Sequence, residues 1–180
     1  MTEIITVLDK KFKKFITSDQ IQTAISQMAE KINNDLKDKD VIFYGILNGA
    51  FLFAADLYRK IKFPSIISFL KVASYQGTNS TGTVKRLIGV SEDIENKTVV
   101  ILEDIIDTGL TMQYLLKQLK GYEPKEILIA TLFFKPEAFK ANFNIDYIGI
   151  KIPNNFIVGY GLDYNGYGRN YNDVYTLITE

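Results

Sequence analysis

VVILEDIIDTGLTM, residues 99–112, decides how this chain folds. It opens on four apolar residues, mostly β-branched, the composition of a strand buried on both faces. Glu103 and Asp104 end that run, and Asp107, Thr108 and Gly109 follow within a few residues. From Leu110 the chain reads as a helix, LTMQYLLKQLK, stopped by Gly121. Strand, tight turn and helix in that order belong to a parallel α/β sheet, whose ligands gather at the carboxyl ends of the strands. Glu103 and Asp104 stand at such an end. The turn after them offers backbone N–H groups, the Thr108 and Thr111 hydroxyls and a helix N-terminus, a site suited to a phosphate monoester. Gly109 lets the backbone approach closely. The acids cannot favour a bare phosphate; they suit hydroxyl donors or a hard cation such as Mg²⁺. A phosphate on the loop and a vicinal diol on the acids together describe a ribose 5-phosphate.

Outward from this motif the same alternation continues. Thr17-Ser18-Asp19 precedes Ile21, Ile25, Met28 and Ile32 at helical spacing, with a capping residue in front. VIFYGI (41–46) is a buried strand, Asn48-Gly49 a turn, and AFLFAADLYRKI a helix. SIISFLKVASY (65–75) and VKRLIGV (84–90) are strands around a polar, Gly/Ser/Thr-rich loop, QGTNSTGT (76–83). EILIATLFF (126–134), DYIGIKI (146–152) and FIVGYGL (156–162) are further strands. Alternating strands and helices predict an α/β fold: a mostly parallel twisted sheet with helices on both faces. No repeat, linker or low-complexity segment interrupts it, so a single domain over residues 1–180 is expected.

Composition narrows the chemistry. Basic and acidic residues number 21 each, so no global charge draws the protein to nucleic acid or to an anionic membrane. An anionic ligand must be held by a local site. There is no Cys, hence no disulfide, thiol nucleophile or cysteine-bound metal. There is no His either, so proton transfer falls to Asp, Glu, Lys or Tyr. The first residues, MTEIITVLDKKFKKF, carry no apolar signal core, and no stretch approaches the ~18 apolar residues of a membrane span. A cytoplasmic protein is expected.

VVILEDIIDTGLT resembles the phosphoribosyl-pyrophosphate (PRPP) motif of type I phosphoribosyltransferases: apolar residues, two acids, then a loop ending in Thr-Gly. The resemblance extends over most of the chain and narrows to the hypoxanthine-guanine type. ASYQGTNSTGTVK is similar to that family's mobile loop, with Ser74 and Tyr75 at its base near pyrophosphate. FFKPEAF places Lys135 just after a strand, where the family uses a lysine toward the purine 6-oxo group. NNFIVGYGLDYNGYGRN resembles the C-terminal signature. There the family implies Phe156 stacked on the base, Ile157 at the base edge through its main chain, Asp163 beside Mg²⁺ and the base, and Arg169 facing pyrophosphate. Asn48-Gly49 in GILNGAFLFAADL matches a loop whose backbone N–H groups bind pyrophosphate, often through a cis peptide. Family members often carry Lys or Arg where this chain has Asn48, so one positive charge near that loop is absent.

The resemblance implies transfer of a 5-phosphoribosyl group from PRPP to a 6-oxopurine, with a small hood formed by N- and C-terminal segments over the sheet. Glu103 and Asp104 would take the ribose hydroxyls and share Mg²⁺ with Asp163. Asp107, Thr108, Gly109, Leu110 and Thr111 would hold the 5-phosphate. With no His in the chain, Asp107 is the expected general base. A homodimer or homotetramer is usual in the family. Two other readings stand beside this one: a regulator that keeps the PRPP site but binds nucleic acid, against which the neutral charge argues, and a transferase for another base, against which Lys135 argues. Hypoxanthine, guanine and xanthine all carry the 6-oxo group, so Lys135 does not rank them.

Overall fold

A computed structural model describes residues 3–76 and 83–179, with residues 73–76 and 83–88 described by their backbone. The motif strand is β6 (Thr98–Ile106), in a sheet with β3 (Val41–Leu47), β4 (Ile66–Gln76), β5 (Thr83–Ile88), β7 (Glu126–Phe134) and β8 (Tyr147–Lys151). Their order is β5-β4-β3-β6-β7-β8. All neighbours pair in parallel except β5, which runs antiparallel to β4 at the edge. The two central strands are apolar on both faces, with Val99 to Leu102 and Ile42 to Tyr44 at most 1% exposed. That burial on both faces explains their uninterrupted apolar runs.

Helices α1 (Ser18–Leu36) and α2 (Phe51–Tyr58) cover one face of the sheet. α1 starts because Thr17 accepts from the Gln20 backbone N–H while the Gln20 side chain accepts from the Thr17 N–H. Its Ile21, Ile25, Met28 and Ile32 enter the core as the spacing predicts. Helix α3 (Leu110–Lys120) covers the other face through Met112, Leu115 and Leu119.

A second sheet has the order β1-β2-β10-β9 and is antiparallel. It consists of β1 (Ile4–Val7), β2 (Lys10–Ile16), β9 (Ile157–Val158) and β10 (Val174–Leu177). This is the expected hood, built from both ends of the chain. The predicted strand FIVGYGL is corrected here. Only Ile157 and Val158 are strand, because Gly159, Tyr160 and Gly161 all take positive φ (105°, 48° and 94°). Three left-handed residues in a row end a strand and turn the chain back toward the main sheet.

Candidate active site

The site forms where β3 and β6 end and the hood comes over them. β6 delivers Glu103 and Asp104, and the turn to α3 follows at once. Gly109 sits at the N-cap with φ +82°, and a Cβ there would run into Phe139 and Ala141. The turn encloses a small cavity of about 110 Å³, lined by Glu103, Asp107, Thr108, Gly109, Thr111 and Met112 among others. Those dimensions suit one phosphate group. Leu110 stands exposed as the first residue of the helix, and its N–H points to the Thr108 hydroxyl at 3.5 Å.

The paired acids sit in different surroundings. Asp104 is 9% exposed, and one of its carboxylate oxygens accepts from the Ile105 N–H at 3.0 Å. Burial raises its pKa to about 6, against the opposing pull of Arg169. Glu103 has a buried oxygen, Oε2, with no hydrogen-bond partner. Burial and the neighbouring Asp104 charge push its pKa well above the usual carboxylate range. An orphaned buried carboxylate oxygen beside a second acid calls for a donor or a cation from outside the chain.

Asn48 and Gly49 follow β3, with a cis peptide between Leu47 and Asn48. The Gly49 backbone lies directly against the Asp104 carboxylate, leaving no room for a Cβ. Gly161, from the hood, packs its own backbone against the Gly49 carbonyl with equally little room. The Asn48–Gly49 loop, the strand-end acids and the C-terminal loop are thus in mutual contact. Arg169 and Asp163 stand on that C-terminal loop and pair with each other, Nη2 to Oδ1 at 2.6 Å. Arg169 also donates to the Gly161 carbonyl, and Asp163 accepts from the Gly166 N–H, each at 2.6 Å.

On the other side of β6, Lys135 follows β7 and is 7% exposed. Its Nζ lies 3.1 Å from Asp107 Oδ2. Phe156 is 46% exposed, while Ile157 behind it is buried. Ser74 and Tyr75 lie on β4 by their backbone pairing with Lys85 and Val84. Their side chains, and residues 77–82 of the stretch that resembles the family's mobile loop, fall outside the described residues.

Comparison with known proteins gives this assembly a family. The phosphoribosyl transferase domain matches residues 17–165. The hypoxanthine-guanine phosphoribosyltransferase of Staphylococcus epidermidis is 40% identical over 175 residues, covering 96% of this chain and 98% of that protein. That of Mycobacterium tuberculosis (strain H37Rv) is 39% identical over 169 residues, covering 90% of this chain and 84% of that protein. The chain belongs to the hypoxanthine-guanine phosphoribosyltransferase family. Within that family the fold extends end to end: a Bacillus anthracis enzyme, solved with HEPES in its active site, superposes with a TM-score of 0.82 at 32% identity. It covers 99% of this chain and 100% of that one.

Against the sequence expectations, the structure gathers Glu103, Asp104, Asp107, Thr108, Gly109 and Thr111 along the end of β6, the turn after it and the start of α3, with Gly49, Asp163 and Arg169 on the Asp104 side. It does not bring Asp163, Glu103 and Asp104 together as a three-carboxylate metal cage: among the described residues no three His, Cys, Asp or Glu side chains are so arranged. The donors are nonetheless all oxygens, and one of them is unpartnered. That fits Mg²⁺, which commonly binds one or two carboxylates and completes its shell with water and substrate phosphate. Sequence reading missed Gly161, whose only local signal is the Gly-Tyr-Gly spacing, and the pairing of the site's cations with its own acids.

Proposed function

We propose that the protein transfers the 5-phosphoribosyl group of PRPP to a 6-oxopurine, hypoxanthine or guanine, releasing pyrophosphate in purine salvage. One observation carries this reading: a phosphate-sized cavity in the turn after β6 adjoins the strand end that carries Glu103 and Asp104, with the Lys135–Asp107 pair beside it. Phosphate enters the turn after β6, and the ribose 2′- and 3′-hydroxyls donate to Glu103 and Asp104. Asp163 would hold Mg²⁺ through water, and the ion would offset charge on the pyrophosphate. Arg169, released from Asp163, and the Asn48–Gly49 backbone neutralise the rest of the leaving group.

The base lies on Phe156 and meets the main chain at Ile157, while Lys135 donates to the 6-oxygen. As the ring attacks C1′, Asp107 accepts its N7 proton; the geometry supports this because Asp107 already lies within hydrogen-bond reach of the residue that would hold the 6-oxygen. Lys135 then stabilises charge left on the ring. On the same family reading the chain works as a single domain, in the cytoplasm, as a homodimer or homotetramer. Among the described residues no helix is long and apolar enough to cross a membrane.

A panel of bases with PRPP and Mg²⁺ tests the reading. Hypoxanthine or guanine should turn over, EDTA should stop the reaction, and adenine should be slower by at least about 10²-fold, since a buried lysine donor leaves an amine unpaired. Comparable rates for adenine or orotate would overturn the assignment.

A further inference from the structure

Phe156 owes its orientation to residues far from it in sequence. Behind it stands Phe12 of β2, fully buried, with ring centroids 6.2 Å apart. Beside it stands Tyr164, edge to face at 5.9 Å and 86°. Phe12 and Tyr164 also touch, at 6.3 Å, so the three rings close a triangle. Phe12 is locked in the hood core with Val7, Val158 and Tyr175. Tyr164 is locked differently. Its hydroxyl donates to Asp9 Oδ1 at 3.0 Å, and the Lys10 ammonium lies 5.4 Å from its ring centroid. Asp9 stands in the turn between β1 and β2 and Lys10 opens β2, both at the opposite end of the chain. Its main chain is fixed as well, through reciprocal hydrogen bonds with Tyr167 at 2.9 and 3.0 Å.

The exposed part of Phe156 is therefore held by a bracket whose outer arm is Tyr164 and whose anchor is the N-terminal turn. We infer that Tyr164, tied to Asp9 and Lys10, is a positioning residue for purine recognition, setting the Phe156 ring at the angle and depth at which the base stacks. It touches no reacting atom. It acts through Phe156, and so makes the N-terminal hairpin part of base selection. This inference rests on the reading of Phe156 as the stacking ring. An edge-to-face pair loses its directional preference when one ring becomes aliphatic, and the remaining ring then samples more than one tilt.

Calorimetry with two ligands separates base from ribose phosphate. Inosine 5′-monophosphate carries the base, and ribose 5-phosphate does not. Tyr164→Leu should weaken the nucleotide by about 3- to 10-fold, the range of a single aromatic pair, and leave ribose 5-phosphate within about 2-fold. Tyr164→Phe, which keeps the ring but breaks the hydrogen bond to Asp9, should recover only part of the loss. In turnover, the KM for hypoxanthine should rise while the KM for PRPP stays. Equal weakening of both ligands, or of neither, overturns the positioning role, and wild-type nucleotide affinity in Tyr164→Phe overturns the anchoring by Asp9. Phe156→Leu is measured in parallel. If it weakens the nucleotide while Tyr164→Leu does not, the bracket alone is refuted. If Phe156→Leu weakens nothing, the stacking assignment is refuted and the bracket with it.

Discussion

Asp107 and Lys135 lie 3.1 Å apart, with the lysine buried and the acid side chain 46% exposed. A buried ammonium needs a compensating charge, and here that charge is also the group proposed to take the purine proton. Asp107→Asn keeps the shape and removes the basicity. It should lower kcat by roughly 10²–10⁴-fold, the usual worth of a general base, with nucleotide affinity largely kept in a binding titration. Near-normal turnover would move the role to another group. Gly49 is constrained in another way. A methyl group on Gly49 would run into the Asp104 carboxylate, and its carbonyl is packed against the Gly161 backbone. Gly49→Ala should displace Asp104 and the Asn48 peptide together, raising the KM for PRPP by about tenfold or more while the isolated base effect stays small; a 1 Å displacement in a site carries that order of penalty. Steady-state kinetics in both substrates measures the split.

At the scale of elements, the capping box of α1 offers a test free of the site. Thr17→Ala removes the acceptor for the Gln20 N–H, costing about 1 kcal/mol, which for a chain this size lowers Tm by roughly 2–4 °C. Activity below the transition should not change, and thermal unfolding measures the shift. This box was legible as a capping residue before an apolar period, and so were α1, β3, β6, α3 and β7, because each has its signal within its own residues. Of the hood strands, β1, β2 and β10 were not, and β9 was read only inside a longer strand. In β2, KKFKKFI, lysines crowd Phe12 and Ile16, and alternation is broken by neighbouring Lys13, Lys14 and Phe15. β9 is two residues long. These segments become strands only by pairing with each other across the chain, Thr176 with Ile157 and with Lys13, so no local window contains the cause. The site divides along the same line. The acids and the phosphate turn are contiguous and could be read directly. The contact of Gly49 with Asp104 and the Phe12 support for Phe156 depend on chain closure, and the Arg169–Asp163 pair on how its own loop turns.

For the whole molecule, the two carboxyls at the end of β6 are a cost that ligand binding offsets. Most perturbed acids here have lowered pKa values: Glu3 and Asp173 around Lys14, and Glu126 beside Lys39. Their contribution is present above the unfolded carboxyl pKa and lost as pH falls. Glu103 and Asp104 have the opposite sign. Their pKa values rise on folding, chiefly through burial, so their contribution is full below the unfolded value near 4. It disappears as pH climbs through about 6 for Asp104, and higher for Glu103. A rise of that size at Asp104 corresponds to roughly 3 kcal/mol of stability withheld at pH 8. Asp104→Asn keeps an oxygen for the Ile105 N–H and cannot ionise. The variant should therefore match the wild type near pH 3.5 and exceed it by several degrees in Tm at pH 8, the gap opening between about pH 4 and 6; taking the difference between the two proteins cancels the acids other than the neighbouring Glu103. Saturating Mg²⁺ and PRPP should reverse the order. The wild type gains about 2.7 kcal/mol at a hundredfold excess over Kd, whereas the variant, short of one carboxylate for the ribose hydroxyls, gains less. A variant no more stable than wild type at pH 8, or one stabilised equally by ligand, would mean that Asp104 is ionised and satisfied in the free protein, and that the acids after the motif strand are held there for some other partner.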